Sequence, residues 1–250
     1  MTFLLGCATI DLSKGVDTMK KTTLLVMDCE TCNARPAAAV LPRNNLAYNF
    51  GYHLLVPSTG ETFHARQYAI SEIMFGERNR MASCYYAEKI PHYYDQIGDN
   101  SCAVRSFFDV MNEITQVCKD YGVTAIVAHN ARFDVDALNT TAAWLTDDQI
   151  THALPQNIEI WDSLKMARAI FGKMPTYRKF CEDNGFLTKH RVPQVRLTAE
   201  ILYRFITKDL DFTEDHMALE DVMIESEIIM KCYRSHKKLK DFRVLYAAQN

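Results

Sequence analysis

Apolar residues in this chain fall into two kinds of run. Thr23 to Cys29 (TLLVMDC) is almost unbroken, as in a strand buried on both faces, and predicts the central strand of a sheet. Leu46 to Val56 and Glu61 to Ile70 are β-rich and separated by the turn sequence Pro57-Ser58-Thr59-Gly60, which predicts two antiparallel neighbours. Two shorter runs, Thr124 to Ala128 and Ile158 to Trp161, predict a fourth and a fifth strand. Elsewhere the period is helical. From Ser106 to Tyr121 the residues Phe107, Phe108, Val110, Met111, Ile114, Val117 and Cys118 recur at helical spacing, and Gly122 follows as a stop. A second helix is expected after Asn130, which can cap it, with Phe133 and Leu138 on its packed side. Further helices are expected over about 164–171, 177–184, 198–207 and 214–233.

The signals between about 71 and 100 are mixed, with Tyr85-Tyr86 and Tyr93-Tyr94 on either side of Pro91, and read as an insertion of short helices or loops. These elements predict an α/β fold, a mixed five-stranded sheet flanked by helices. The expected organisation is a loosely held extension over 1–18 and one domain over 19–250, with Met19 as a candidate natural start.

Composition narrows the classes. The 250 residues are 48% hydrophobic and 24% charged, a globular balance that argues against a disordered chain. Lys and Arg number 28 against 31 Asp and Glu, a net charge of −3, so nucleic acid would have to meet a local basic patch. No apolar run approaches the roughly 18 residues of a membrane span, and the first residues lack the basic start of a secretory signal. Eight cysteines in mostly apolar surroundings then read as reduced thiols, with a cytoplasmic location expected. Cys29-Glu30-Thr31-Cys32 matches C-x-x-C, but no second ligand pair lies close by, and Cys29 should alternate into the core.

The carboxylates carry the chemistry. Asp28 and Glu30, two apart at the end of the central strand, share one face of the pleat. Two negative charges side by side near a core are costly without a cation. Asp134 follows the fourth strand within the first turn or so of its helix and would emerge at the same sheet edge. Asp136 competes for that role, but two helical residues differ by about 200°, so only one of the two can face the site. His216 and Asp221 belong to the last element, with His216 expected in its first turn. Their five-residue offset is about 140° of rotation and about 7 to 8 Å of rise, so His216 must reach across from the helix end to share a pocket with Asp221. Alone, the stretch from Asp209 to Glu227, with eight acids and no Lys or Arg, reads as a solvated acidic helix. Four acids from three segments together suit Mg²⁺ or Mn²⁺, and a pair of such ions can clamp the attacking and leaving oxygens of a phosphodiester.

Asp28-Cys29-Glu30, Asn130-Ala131-Arg132-Phe133-Asp134 and His216-Met217-Ala218-Leu219-Glu220-Asp221 resemble the three motifs of the DEDDh exonuclease family. The stretch from Trp161 to Arg168 is similar to the segment after that family's fifth strand, and the likeness covers roughly Leu24 to Lys231. The resemblance implies a ribonuclease H-like sheet and a 3′→5′ exonuclease. In it, Asp28, Glu30, Asp134 and Asp221 hold two Mg²⁺ or Mn²⁺ ions, and His216 takes a proton from the attacking water. An imidazole of ordinary pKa, about 6.5, can do so near neutrality. Family members often continue the first motif with threonine and glycine, whereas this chain has Thr31-Cys32-Asn33.

For substrate, the interval from Ile160 to Lys208 holds ten Lys and Arg against four acids, a balance of +6, with Tyr177, Phe180 and Phe186 interleaved as candidate stacking platforms. The expected contacts are Thr31, Asn130 and Phe133 beside the acids, and Arg178 and Lys179 in the basic stretch. A single-stranded 3′ end is the expected partner, DNA before RNA, with replication or repair proteins as further partners. The alternatives are an exoribonuclease and a non-catalytic nucleic-acid-binding or polymerase-docking module.

Overall fold

A computed structural model describes residues 22–32, 45–82, 84–235 and 242–243; the expectations for 1–18 and Met19 lie outside these. The strands are β1 (Leu24–Cys32), β2 (Leu46–Val56), β3 (Glu61–Ile70), β4 (Ala103–Arg105), β5 (Ala125–Ala128) and β6 (Glu159–Asp162). They form one sheet in the order β4-β3-β2-β1-β5-β6. The pairs β1/β2 and β2/β3 are antiparallel, while β3/β4, β1/β5 and β5/β6 are parallel. The mixed α/β class is as expected, but the sheet has six strands rather than five. The additional strand, β4, is three residues long with every side chain exposed, so no apolar pattern marks it.

β1 is central because it is apolar on both sides. Leu25, Met27 and Cys29 join the large core, while Leu24 and Val26 pack on the opposite face with Val222 and Ile229. Each such aliphatic side chain, fully buried, contributes about 1.5–3 kcal/mol. The large core lies under α4 (Phe107–Asp120) and α5 (Arg132–Leu145). α4 starts where the side chain of Ser106 accepts the Asp109 N–H at 3.2 Å, and it is followed by Gly122 at φ 58°. The other face is covered by α9 (Ala218–Tyr233).

Gly51 of β2 makes that covering possible. It pairs with Asp28, and a Cβ built on it would stand 2.5 Å from Leu219 N and 2.6 Å from the carbonyl carbon of Ala218. Only glycine lets the first turn of α9 lie this close to the sheet.

The insertion expected at 71–100 folds as α1 (Ser71–Met74), α2 (Arg78–Ala82), a 3₁₀ turn over Ala87–Lys89 and α3 (Ile90–Gly98). A second core forms between α6 (Ser163–Ile170), α7 (Pro175–Asp183), α8 (Ala199–Thr207) and α9. Tyr177 is fully buried there, edge-on to Phe205 at 5.0 Å, and Phe180 and Phe186 pack beside it. These three rings therefore serve the core rather than offering open platforms for bases. At the β6 edge the chain returns on itself: Asp162 N–H donates to the Phe242 carbonyl at 2.8 Å, and Trp161 bridges to Arg243. The Phe242 ring meets that of Trp161 edge-on at 5.0 Å.

Seven cysteines among the described residues are free and buried, consistent with core thiols. No helix among the described residues is long and apolar enough to cross a membrane.

Candidate active site

The pleat of β1 sends Met27 and Cys29 into the large core and leaves Asp28 and Glu30 on the α9 side, at the strand's carboxyl end. Both line a cleft of about 1030 Å³, together with Thr31. Across it stand Asp221 and Glu225 from the first half of α9 and His216 from the segment before it. Carboxylate oxygens of Glu30 and Asp221 and a ring nitrogen of His216 lie within 4.8 Å of one another.

α5 supplies Asp134 in its first turn, 3% exposed. Its Oδ1 accepts the Cys29 N–H at 3.3 Å and lies 3.4 Å from Cys29 Sγ, which ties it to the strand between Asp28 and Glu30. It does not line the cleft surface, yet its charge acts on both Asp28 and Glu30. Asp136 points to solvent, paired with Arg132 at 3.5 Å, so the competition between these two acids falls to Asp134.

Several local expectations are corrected. Asn130 makes no cap: α5 begins at Arg132 after Ala131, and Asn130 stands in a turn at φ 67°. Its N–H donates to Asp162 Oδ1 at 3.2 Å, and the residue borders the cleft. Phe133 is 39% exposed at the cleft rather than packed beneath the helix. His216 precedes α9 instead of sitting in its first turn, at φ 54°, a left-handed conformation that costs a non-glycine residue about 1–3 kcal/mol. That conformation turns the imidazole to where Asp221 can meet it. Two tyrosines of the insertion hold it there: the Tyr93 hydroxyl donates to the His216 carbonyl at 3.3 Å, and the Tyr86 ring lies against the imidazole.

Arg178 and Lys179 lie outside the cleft lining, engaged along α7 with Glu182 at 2.8 Å and Asp183 at 3.0 Å. The basic side chains bordering the cleft are Arg168, Lys173, His190 and Arg196, the last two on the segment between α7 and α8. The local positive balance was readable in the sequence; which members face the cleft was not.

Electrostatics single out the acids. Burial, followed by the charges of Asp134, Glu225, Glu30 and Asp221, pushes the Asp28 carboxyl well above its ordinary range. Glu30 is raised by burial and then by Asp134 and Glu214, and Asp221 by burial and then by Glu214 and Glu30. Asp134 is raised by burial too, against the opposing Cys29 hydrogen bonds. His216 moves the other way, lowered by burial and by Lys89. Like charges crowded into a dry place, with no cationic side chain paired to them among the described residues, are costly together, a cost that a bound cation would relieve. Oδ1 of Asp221 is buried and has no hydrogen-bond partner among the described residues, which leaves a ligand atom ready. The sequence had not singled out Glu214, Glu225, Tyr86 or His129 for this site. Glu225 was detectable, one helical turn after Asp221; Tyr86 carried no periodic signal.

No protein-family model matches the sequence, and no curated protein matches it. Its architecture, a mixed sheet flanked by helices, is in contrast shared with solved structures. More narrowly, it is a fold found in solved 3′-exonuclease structures, one of them described as a DEDDh family member. A 3′-exonuclease in 3′-end specific recognition of the histone mRNA stem-loop is 14% identical, with 86% of this chain and 83% of that one covered at a TM-score of 0.55. The nuclease domain of 3′hExo, a DEDDh family member bound to rAMP, is 12% identical over 89% and 96%, with a TM-score of 0.54. A full-length 3′-exonuclease is 11% identical over 92% and 93%, with a TM-score of 0.54.

Proposed function

We propose that this chain is a metal-dependent 3′→5′ exonuclease, releasing nucleoside monophosphates from single-stranded ends by two-metal-ion phosphodiester hydrolysis. The observation that carries the reading is the buried, unpartnered Oδ1 of Asp221, in a group where Glu30, His216 and Asp221 offer ligand atoms within 4.8 Å. The donor set fits Mg²⁺ or Mn²⁺, being oxygen-rich and free of thiolate. Asp28, Glu30, Asp134 and Asp221 would hold the ions, with Asp134 steadied by the Cys29 amide. Bound divalent ions supply charge neutralisation at the scissile phosphate and lower the pKa of the attacking water.

His216 is the base. Glu214 stands 4.0 Å from its Nδ1, and Nε2 is the nitrogen placed to accept a proton from water. Tyr86 lies 3.1 Å from that Nε2 through its hydroxyl and would yield to substrate. Arg168, Lys173 and Arg196 suit the phosphates of the departing strand, and Phe133, exposed at the cleft, suits the terminal base.

Single-stranded DNA is the substrate we carry from the sequence. A second reading, RNA 3′ ends, is favoured by the fold neighbours, one described with the histone mRNA stem-loop and another bound to rAMP. Matched DNA and RNA strands, labelled at the 3′ terminus and incubated with Mg²⁺, Mn²⁺ or chelator, separate the two. The reading expects labelled mononucleotide with either ion, none with chelator, and none from a folded Asp28→Asn, Glu30→Gln double variant. Full release by that variant would overturn it.

A further inference from the structure

α9 carries a second buried carboxylate that the four acids leave without a task. Glu225 follows Asp221 by four residues, the spacing that places two side chains on one stripe of a helix. They are 3% and 6% exposed, and both border the cleft. Oε2 of Glu225 accepts the His129 N–H at 3.1 Å, its one hydrogen bond among the described residues, where no Lys or Arg pairs with it. Its charged neighbours are instead Asp134, Asp221 and Glu214, and its own charge reaches Asp28. A buried carboxylate held by one amide among like charges is costly unless a cation joins it. Asp221, on the same stripe and at the same cleft, has a buried Oδ1 with no hydrogen-bond partner among the described residues.

We propose that Glu225 is a fifth carboxylate of the metal centre, holding a divalent cation together with Asp221 from one face of α9. The inference rests on the metal-centre reading above. The His129 N–H fixes one oxygen and so orients the carboxylate, leaving the second oxygen for the cation. Four carboxylates already balance two divalent ions, so a fifth adds net attraction.

Calorimetric titration of Mn²⁺ into the full chain tests this, paired with the melting temperature in chelator. Glu225→Gln keeps the volume and an acceptor for the His129 N–H while removing the charge. The variant is expected to bind Mn²⁺ at least about tenfold more weakly, with a melting temperature in chelator equal to or above that of the parent. Unchanged affinity overturns the proposal. Weaker binding with a lowered melting temperature also overturns it, because Glu225 is then an anchor of the fold. If the parent chain itself takes up no Mn²⁺, the metal-centre reading fails first; parent binding matched by the variant defeats this inference alone.

Discussion

The rings of Tyr86 and His216 are stacked, their centroids 4.3 Å apart and their planes 19° from parallel. One ring comes from the insertion between β3 and β4, the other from the segment that enters α9, and 130 residues of chain separate them. A segment that a bare sheet-and-helix fold could omit thus steadies the candidate base.

Tyr86→Ala should lower turnover about two- to tenfold, because an aromatic stack is worth about 0.5–1.5 kcal/mol and tenfold in rate is about 1.4 kcal/mol. Tyr86→Phe keeps the stack and uncovers Nε2, so it should retain at least the parent rate. Single-turnover release from a labelled strand checks both, and an alanine variant as fast as the parent would remove the positioning role.

The pH profile should bear the mark of Lys89. Burial and then the Lys89 charge disfavour the imidazolium of His216, so its neutral, competent form persists to lower pH than for an ordinary histidine. Rate should rise with pH through that depressed value. Lys89→Gln removes a repelling cation, raises the His216 pKa and moves the ascending limb to higher pH. A limb that stays in place, or moves to lower pH, would separate Lys89 from the base.

Gly51→Ala should cost about 1–3 kcal/mol, the usual penalty of overpacking, since its Cβ would stand 2.5 Å from Leu219 N. The strain falls where α9 begins, so nucleotide release should drop further than stability. Urea unfolding together with an activity assay reads both.

Removing divalent ions should make stability fall as pH rises. Asp28, Glu30, Asp134 and Asp221 are all raised in the folded chain. Between the unfolded carboxylate value, about 4, and the raised folded values, the native state holds more protons than the unfolded one, so its advantage shrinks with increasing pH. In chelator the melting temperature should be lower at pH 8 than at pH 5.5. Mn²⁺ should restore more at pH 8, where the carboxylates are ionised. Melting curves at the two pH values, with and without the ion, settle the sign.

Much of this was legible in order and composition. The unbroken run of β1 announced a strand covered on both faces, and the pleat alone put Asp28 and Glu30 together. Helical rotation correctly required a choice between Asp134 and Asp136, although not which one. Other features were hidden for definite reasons. Glu225 lay within eight acids that resemble an ordinary solvated surface; its four-residue spacing from Asp221 was the one signal, and burial is what separates it from the rest. Arg178 and Lys179 each had an acid four residues on, a pattern that could have foretold helix-face pairing. Asn130 had a capping side chain but a left-handed backbone, which sequence does not display.

β6, which carries Trp161, would be an open flank of the sheet were it not for the backbone at Phe242 and Arg243. A bare flank offers its unpaired amides and carbonyls to any passing strand, another copy included. Phe242 and Arg243 occupy that border at Trp161 and Asp162, so part of a seam along which copies could otherwise zip together into larger aggregates is already taken.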